Sequence, residues 1–392
     1  MNLQETYNKY KSTLFGFDSK YLIELRNELI NNFDLNPKKL KNNESTKHFD
    51  TKILIDFEYN PLSSKYFHPD IISNNDLKYN ISNKKQSILE NLKKYENAFE
   101  NDYIVNFNTI LQNSGFILEI EKDQKGKLFI NNKINENCSV FTKNFIKVDS
   151  NNDIQIIERF NNSQISNMNV INYFDIKENS KIYHLIIEEN NKEADMQLTN
   201  YINCSENSEY TQIIFNVSDS SVRNHTYANL LDKNSRADLQ GIFLANGTQI
   251  IDNKTVVNHY SPHCSSDQKY KGILTDQSKA SYLSKTFVDN KAQKTEAYQL
   301  SKGILLSEDS YFHSKPELKI YADDVKCSHG STIGPFDKNI LYYCRSRGIP
   351  KDVSTSLLIN SFFSDILNNI SEKESITLIN GLIYKWLNNN NY

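Results

Sequence analysis

The chain has 392 residues, enough to bury a large core, and length alone suggests two or three domains. Its 45 Lys+Arg against 48 Asp+Glu leave a net charge of -3, which gives no overall bias toward nucleic acid or acidic lipid. No run approaches the roughly 18 apolar residues of a membrane span, and MNLQETYNKYKSTLFGFD lacks the apolar stretch of a secretory signal, so a soluble cytoplasmic protein is expected. Five scattered cysteines, Cys138, Cys204, Cys264, Cys327 and Cys344, fit free thiols in a reducing compartment better than a disulfide framework.

Residues 1–98 read as mostly helical. YLIELRNELINNF places Leu22, Leu25, Leu29 and Ile30 at helical spacing, and SILENLKKYENAF does the same with Ile88, Leu89, Leu92 and Tyr95. Between them, Asn36 to Asn83 is polar, carries Pro37, Pro61 and Pro69, and reads as loop with short elements.

Residues 99–335 change period. GFILEIE, KLFINN, NFIKVD, IQIIERF, KIYHLIIEE and TQIIFNV are short β-prone runs separated by Asn, Asp, Ser and Gly, with no long helix among them. That excludes a doubly wound α/β plan and leaves a sandwich, a barrel or a solenoid. GIFL, GILT and GILL start at Gly241, Gly272 and Gly303, at intervals of 31 residues, and apolar Val256, Phe287 and Leu318 lie fifteen residues beyond each. A fixed period in this range marks stacked units that bury their apolar faces against one another, so a parallel β-helix is expected.

Asp323 to His329 packs two carboxylates, a thiol and an imidazole into seven residues. If the segment is extended, Asp323, Val325, Cys327 and His329 share one side. A thiolate and an imidazole two residues apart can reach one soft metal centre, yet two ligands do not complete a tetrahedral site. The pair is either a buried thiol with a hydrogen-bonded imidazole, or half of a site finished elsewhere, for instance on another chain. His259, His263 and Cys264 fall about two repeats earlier and read as separate core groups.

Residues 336–392 return to helical spacing. DKNILYYCRSRG ends on Arg345 and Arg347 before Gly348, a favourable helix stop. A second helix opens near Pro350 and repeats Leu358, Phe362, Ile366 and Ile370, and SEKE at Ser371–Glu374 matches a capping box for a third. No P-loop, H-E-x-x-H, G-x-S-x-G or G-x-G-x-x-G occurs, so no enzyme class announces itself.

The strings LQGIFLANGTQIIDNKTVVNH, SSDQKYKGIL, DNKAQKTEAYQ, GILLSEDS, KPELKIYADDVKCSHGSTIG and RSRGI follow one another over roughly residues 225–370. In that order they resemble the SufB/SufD family of iron–sulfur cluster assembly proteins, with KCSHG in the form of the SufD branch. The resemblance implies a mainly β fold: a right-handed parallel β-helix core between helical N-terminal and C-terminal regions. It implies an accessory, non-catalytic scaffold subunit that pairs with SufB through the β-helix, or with a second copy when SufB is absent. It further implies that the SufC ATPase docks on the C-terminal helices, where Arg345, Arg347, Gly348, Leu358 and Phe362 lie, and supplies the ATP hydrolysis. A transient iron–sulfur cluster would form at the shared interface, with His329 as the cluster-related residue, Cys327 as the thiol beside it, and none held stably by the chain alone. Lys254 and Asn258 stand where the family usually shows His and Asp, and the N-terminal region lacks the family's tryptophan-containing motif. A SufB-like primary scaffold is the competing reading, and a β-helical polysaccharide hydrolase or lyase a remote one.

Overall fold

A computed structural model describes the chain except residues 1–2, 44–45, 50, 64–66, 75, 97, 100–101, 135, 162–166, 190–194, 336 and 391, and the side chains of 338 and 352. The fold is mainly β, a parallel solenoid of about seven turns with helices at both ends of the chain. Each coil gives one strand to each of two nine-stranded sheets. Face A runs from Lys125–Asn132 to Lys326–Pro335, and face B from Ile117–Ile120 to Tyr311–Ile320, all parallel within these limits. Antiparallel strands Asp70–Ser73 and Tyr79–Ser82 close the first coil, one on each sheet. Both are short elements within the stretch that reads as loop with short elements. At the other end Tyr311–Ile320 and Lys326–Pro335 are last in their sheets and carry no further strand among the described residues.

Coil length is set at one corner by residues in the left-handed region. Asp123, Asn151, Asn179, Asn207, Asn234, His263 and Lys294 all have φ between 54° and 61°, a conformation that Asn and Asp tolerate better than most side chains. Each donates its backbone N–H to a carbonyl one coil onward, from Asp123 to Ser150 through Lys294 to Asp324. The first five also stack side chains, with Asn151, Asn179, Asn207 and Asn234 each giving Nδ2 to the residue below at 2.9–3.2 Å. These positions recur every 28 residues at first and every 31 at the end.

The repeat of 31 residues is therefore a property of the last coils. Gly272 pairs with Gly303 in register, whereas Gly241 pairs with Tyr270, two residues out of step with the sequence match. Val256 likewise pairs with Lys285, and Phe287 with Lys319. What unites the three glycines is room for a ring. A Cβ would sit 2.2 Å from Tyr270 at Gly241, 2.1 Å from Phe243 at Gly272 and 2.3 Å from Phe312 at Gly303.

Helix Tyr103–Leu111 was not expected among the β-prone runs. Asp102 caps it, accepting from the N–H groups of Ile104 and Val105, and ties it to face B through Arg223 at 2.6 Å. It packs with Lys20–Asn32 and its neighbours in the N-terminal region. The C-terminal helices Lys351–Leu367 and Lys373–Asn389 cover face A, where Ile359, Phe363, Ile379 and Ile383 meet Leu185, Ile213, Phe215 and Ile242. The third helix is capped by Glu372, which accepts from Ser375 N–H, rather than by Ser371. No helix among the described residues is long and apolar enough to cross a membrane.

Candidate functional site

Among the described residues the solenoid stops at the last coil with no strand beyond it. Cys327, His329, Ser331 and Ile333 stand over Ala297, Gln299, Ser301 and Gly303 of the coil beneath. Those lower positions point into the interior, where Ala297, Gln299 and Ser301 are buried. The residues above them have the same parity and no roof, so Cys327 is half-buried and His329 exposed. The opposite wall ends on Phe312, Ser314, Pro316, Leu318 and Ile320, likewise at interior parity over Ala280, Tyr282, Ser284, Thr286 and Val288.

The floor beneath His329 is hydrogen-bonded within itself. Gln299 gives Nε2 to Thr286 Oγ1 at 2.8 Å and to the Glu317 carbonyl, and accepts from Ser284 Oγ. His329 is thus turned toward the open end rather than bound into this network. Cys327 packs with Val325 against Val288, Ala292 and Ala322. Burial raises its thiol above the ordinary value, and a backbone hydrogen bond from Ala297 offsets part of this. Binding a soft metal would therefore require the thiol to lose its proton at the moment of binding.

Asp323 does not join the pair on one strand face. The strand begins at Lys326, and Asp323 and Asp324 form a bend whose second carboxylate pairs with Lys294. No group of three or more His, Cys, Asp or Glu side chains able to hold a metal ion occurs among the described residues. His259 is buried against Ser266, His263 occupies the left-handed corner, and Cys264 is buried beside Ser235. All three lie two coils below Cys327. His313 faces outward on the other wall and stacks on His48 at 4.9 Å. Asn258 belongs to an outer ladder with Asn229, Asn203 and Asp175, and Lys254 lies over the Tyr227 ring.

The C-terminal residues divide into two sets. Arg345 and Arg347 are exposed, and Gly348 takes φ +83° just after helix Lys338–Ser346. Leu358 and Phe362 are half-buried, and Phe362 is held by Lys271, whose Nζ reaches its carbonyl at 2.6 Å. The large apolar side chains that do face outward there are Ile340, Tyr342, Tyr343, Val353, Leu357 and Tyr384, with Tyr342 75% exposed. On helix Lys351–Leu367, Ile359, Phe363 and Ile366 are the fully buried apolar side chains, so the buried stripe starts one residue beyond Leu358.

The family model described as SUF system FeS cluster assembly, SufBD core domain, matches residues 129–362, more than half of the chain. The chain belongs to the SufBD family. An iron–sulfur cluster assembly SufBD family protein of Synechocystis is 27% identical over 202 residues, 52% of this chain and 45% of that protein. The iron–sulfur cluster assembly protein SufD of Escherichia coli is 29% identical over 159 residues, 41% and 38% of the two chains. The chloroplastic protein ABCI7 of Arabidopsis thaliana is 26% identical over 236 residues, 59% and 49%. The chain thus spans less than half the length of these relatives.

Proposed function

We propose that this SufBD-family chain is an accessory subunit of a SufB–SufC–SufD scaffold for iron–sulfur cluster assembly. The observation that carries the proposal is the last coil, which leaves a Cys–x–His pair at interior parity with no strand above it among the described residues. A partner solenoid stacked there would extend both sheets, roof the interior positions and bring the missing ligands. The cluster is cargo under this reading: Cys327 offers a soft thiolate once deprotonated, and His329 a neutral imidazole that can be displaced on transfer. The chain performs no catalysis of its own. ATP hydrolysis belongs to a SufC partner docked on the C-terminal helices, with the exposed tyrosines of Lys338–Ser346 and the adjoining Val353 and Leu357 as the contact. The setting is cytoplasmic, without nucleic acid or membrane.

Co-purification with candidate SufB and SufC, followed by iron and acid-labile sulfide analysis, tests the reading. His329→Ala should leave complex formation intact and lower cluster yield at least tenfold. Unchanged yield would remove His329 from the mechanism. Strong cluster absorbance on the anaerobically reconstituted chain alone would favour a primary scaffold instead.

A further inference from the structure

We infer that the small cleft between the N-terminal helices and face B, at Lys143 and Thr109, binds a small inorganic oxyanion of the sulfate or phosphate class. This site is far from the open coil in the fold and does not depend on the assembly role. Lys143, on strand Ser139–Val148, is 5% exposed, and Arg26, on helix Lys20–Asn32, is 0% exposed. Both anchor on Thr109: Lys143 Nζ donates to its hydroxyl at 2.7 Å and Arg26 Nε to its carbonyl at 3.1 Å. Neither has an ion-pair partner among the described residues. Thr109 passes its own proton to the Val105 carbonyl, so two protons of a charged Lys143 have no acceptor among the described residues. Arg26 Nη1 is also buried without a partner.

Two neighbouring buried cations without a counter-charge are costly. Lysine can relieve the cost by losing its proton, and burial, followed by the Arg26 charge, pushes the Lys143 ammonium down to about 7. A bound anion relieves it in the other direction. Space for one is present: a cavity of about 60 Å³ is lined by Lys143, Thr109, Leu22, Leu92 and Val105. On that measure one water needs roughly 10–15 Å³, so the volume suits a few waters or one tetrahedral oxyanion. Asn106 and Tyr21 also line it, the Tyr21 hydroxyl buried and unpartnered, while the carboxylate of Glu96 stands at the exposed rim.

If the anion requires the charged amine, affinity and protonation are linked. The other ionisable groups lining the cleft are the carboxylate of Glu96 at its exposed rim and the phenols of Tyr21, Tyr95 and Tyr173, with the Arg26 guanidinium behind the lining beside Thr109; burial holds those phenols above their ordinary range. Lys143 is then the group that titrates between pH 6.5 and 9. The experiment is thermal-shift and calorimetric titration of the full chain with sodium sulfate, against sodium chloride at matched ionic strength, with an inorganic phosphate arm to rank the two anions. Saturable sulfate binding is expected, weakening about tenfold per pH unit above pH 7 and lost in Lys143→Met and Lys143→Gln. Absence of saturable binding, its persistence in either variant, or affinity independent of pH in the wild type would each overturn the site.

Discussion

At the scale of single residues, burial sets two testable costs. Glu188 is wholly buried, with Oε2 accepting from Asn216 at 2.6 Å and Asn224 at 2.8 Å. Burial pushes its carboxyl up to about 7, from 4.5 in the open chain. Between those values the folded state keeps a proton that the unfolded chain has released. The neutral form's contribution is therefore fully present below about pH 4.5 and is lost as pH rises through about 7. At about 1.4 kcal/mol per unit the effect is on the order of 3 kcal/mol. Glu188→Gln should be more stable than wild type at pH 8, with the gap closing toward pH 5 in urea melts; parallel curves would exonerate Glu188. Steric cost is the other case. Gly272→Ala drives a Cβ into the fully buried Phe243 ring and should cost about 1–3 kcal/mol or more. Gly334→Ala, with nothing within 4 Å, should stay within about 0.5 kcal/mol.

At the scale of elements, the strands and C-terminal helices were readable because their apolar periods are regular, but their spacing was readable only locally. The Gly-Ile repeat caught the last coils, where large rings demand glycine opposite them. The better marker was the corner: ENS at 178–180 and 206–208 and KNS at 233–235 carry the left-handed Asn that closes each coil. No fixed period marks it, since the step drifts from 28 to 27, 29 and 31 residues and His and Lys take the same corner later. Helix Tyr103–Leu111 was hidden for another reason. YIVNFNTIL is β-prone by composition, and its helical state rests on the Asp102 cap and on burial from most sides. The same distinction between buried and presented faces separates two classes of variant in the C-terminal helices. Phe363→Ala removes a fully buried ring from face A and should cost about 3–5 kcal/mol. Tyr342→Ser and Tyr343→Ser remove exposed rings, so each should move stability by less than about 0.5 kcal/mol. Together they should weaken binding of a SufC-type ATPase at least tenfold by calorimetry. Undiminished binding would place that contact elsewhere.

At the scale of the whole molecule, the two ends of the solenoid differ. One is closed by antiparallel strands, and the N-terminal helices lie against face B; the other ends, among the described residues, with Leu318, Ile320, Cys327, His329 and Ile333 under no further strand. Stacked repeats need caps, and an open edge templates further pairing. The sequence showed the Cys–x–His pair but not its place on the last coil, because two-residue spacing carries no information about how many coils follow. Backbone direction now makes the edge testable. Lys326 donates its N–H inward to the Thr295 carbonyl at 2.8 Å. Alternation along a parallel strand then sends the N–H groups of Cys327, His329 and Ser331 outward, to the open side. Ser331→Pro deletes an N–H that has no ladder partner among the described residues, at an edge where proline is tolerated. Ser328→Pro deletes one that does pair inward and should loosen the last coil. We expect Ser331→Pro to melt within about 2 °C of wild type, since removing an unpaired edge donor leaves the core intact. It should nevertheless fail to form the paired species, with SufB or with itself, in sedimentation velocity. Wild-type pairing by Ser331→Pro would show that the subunits meet through some surface other than this edge.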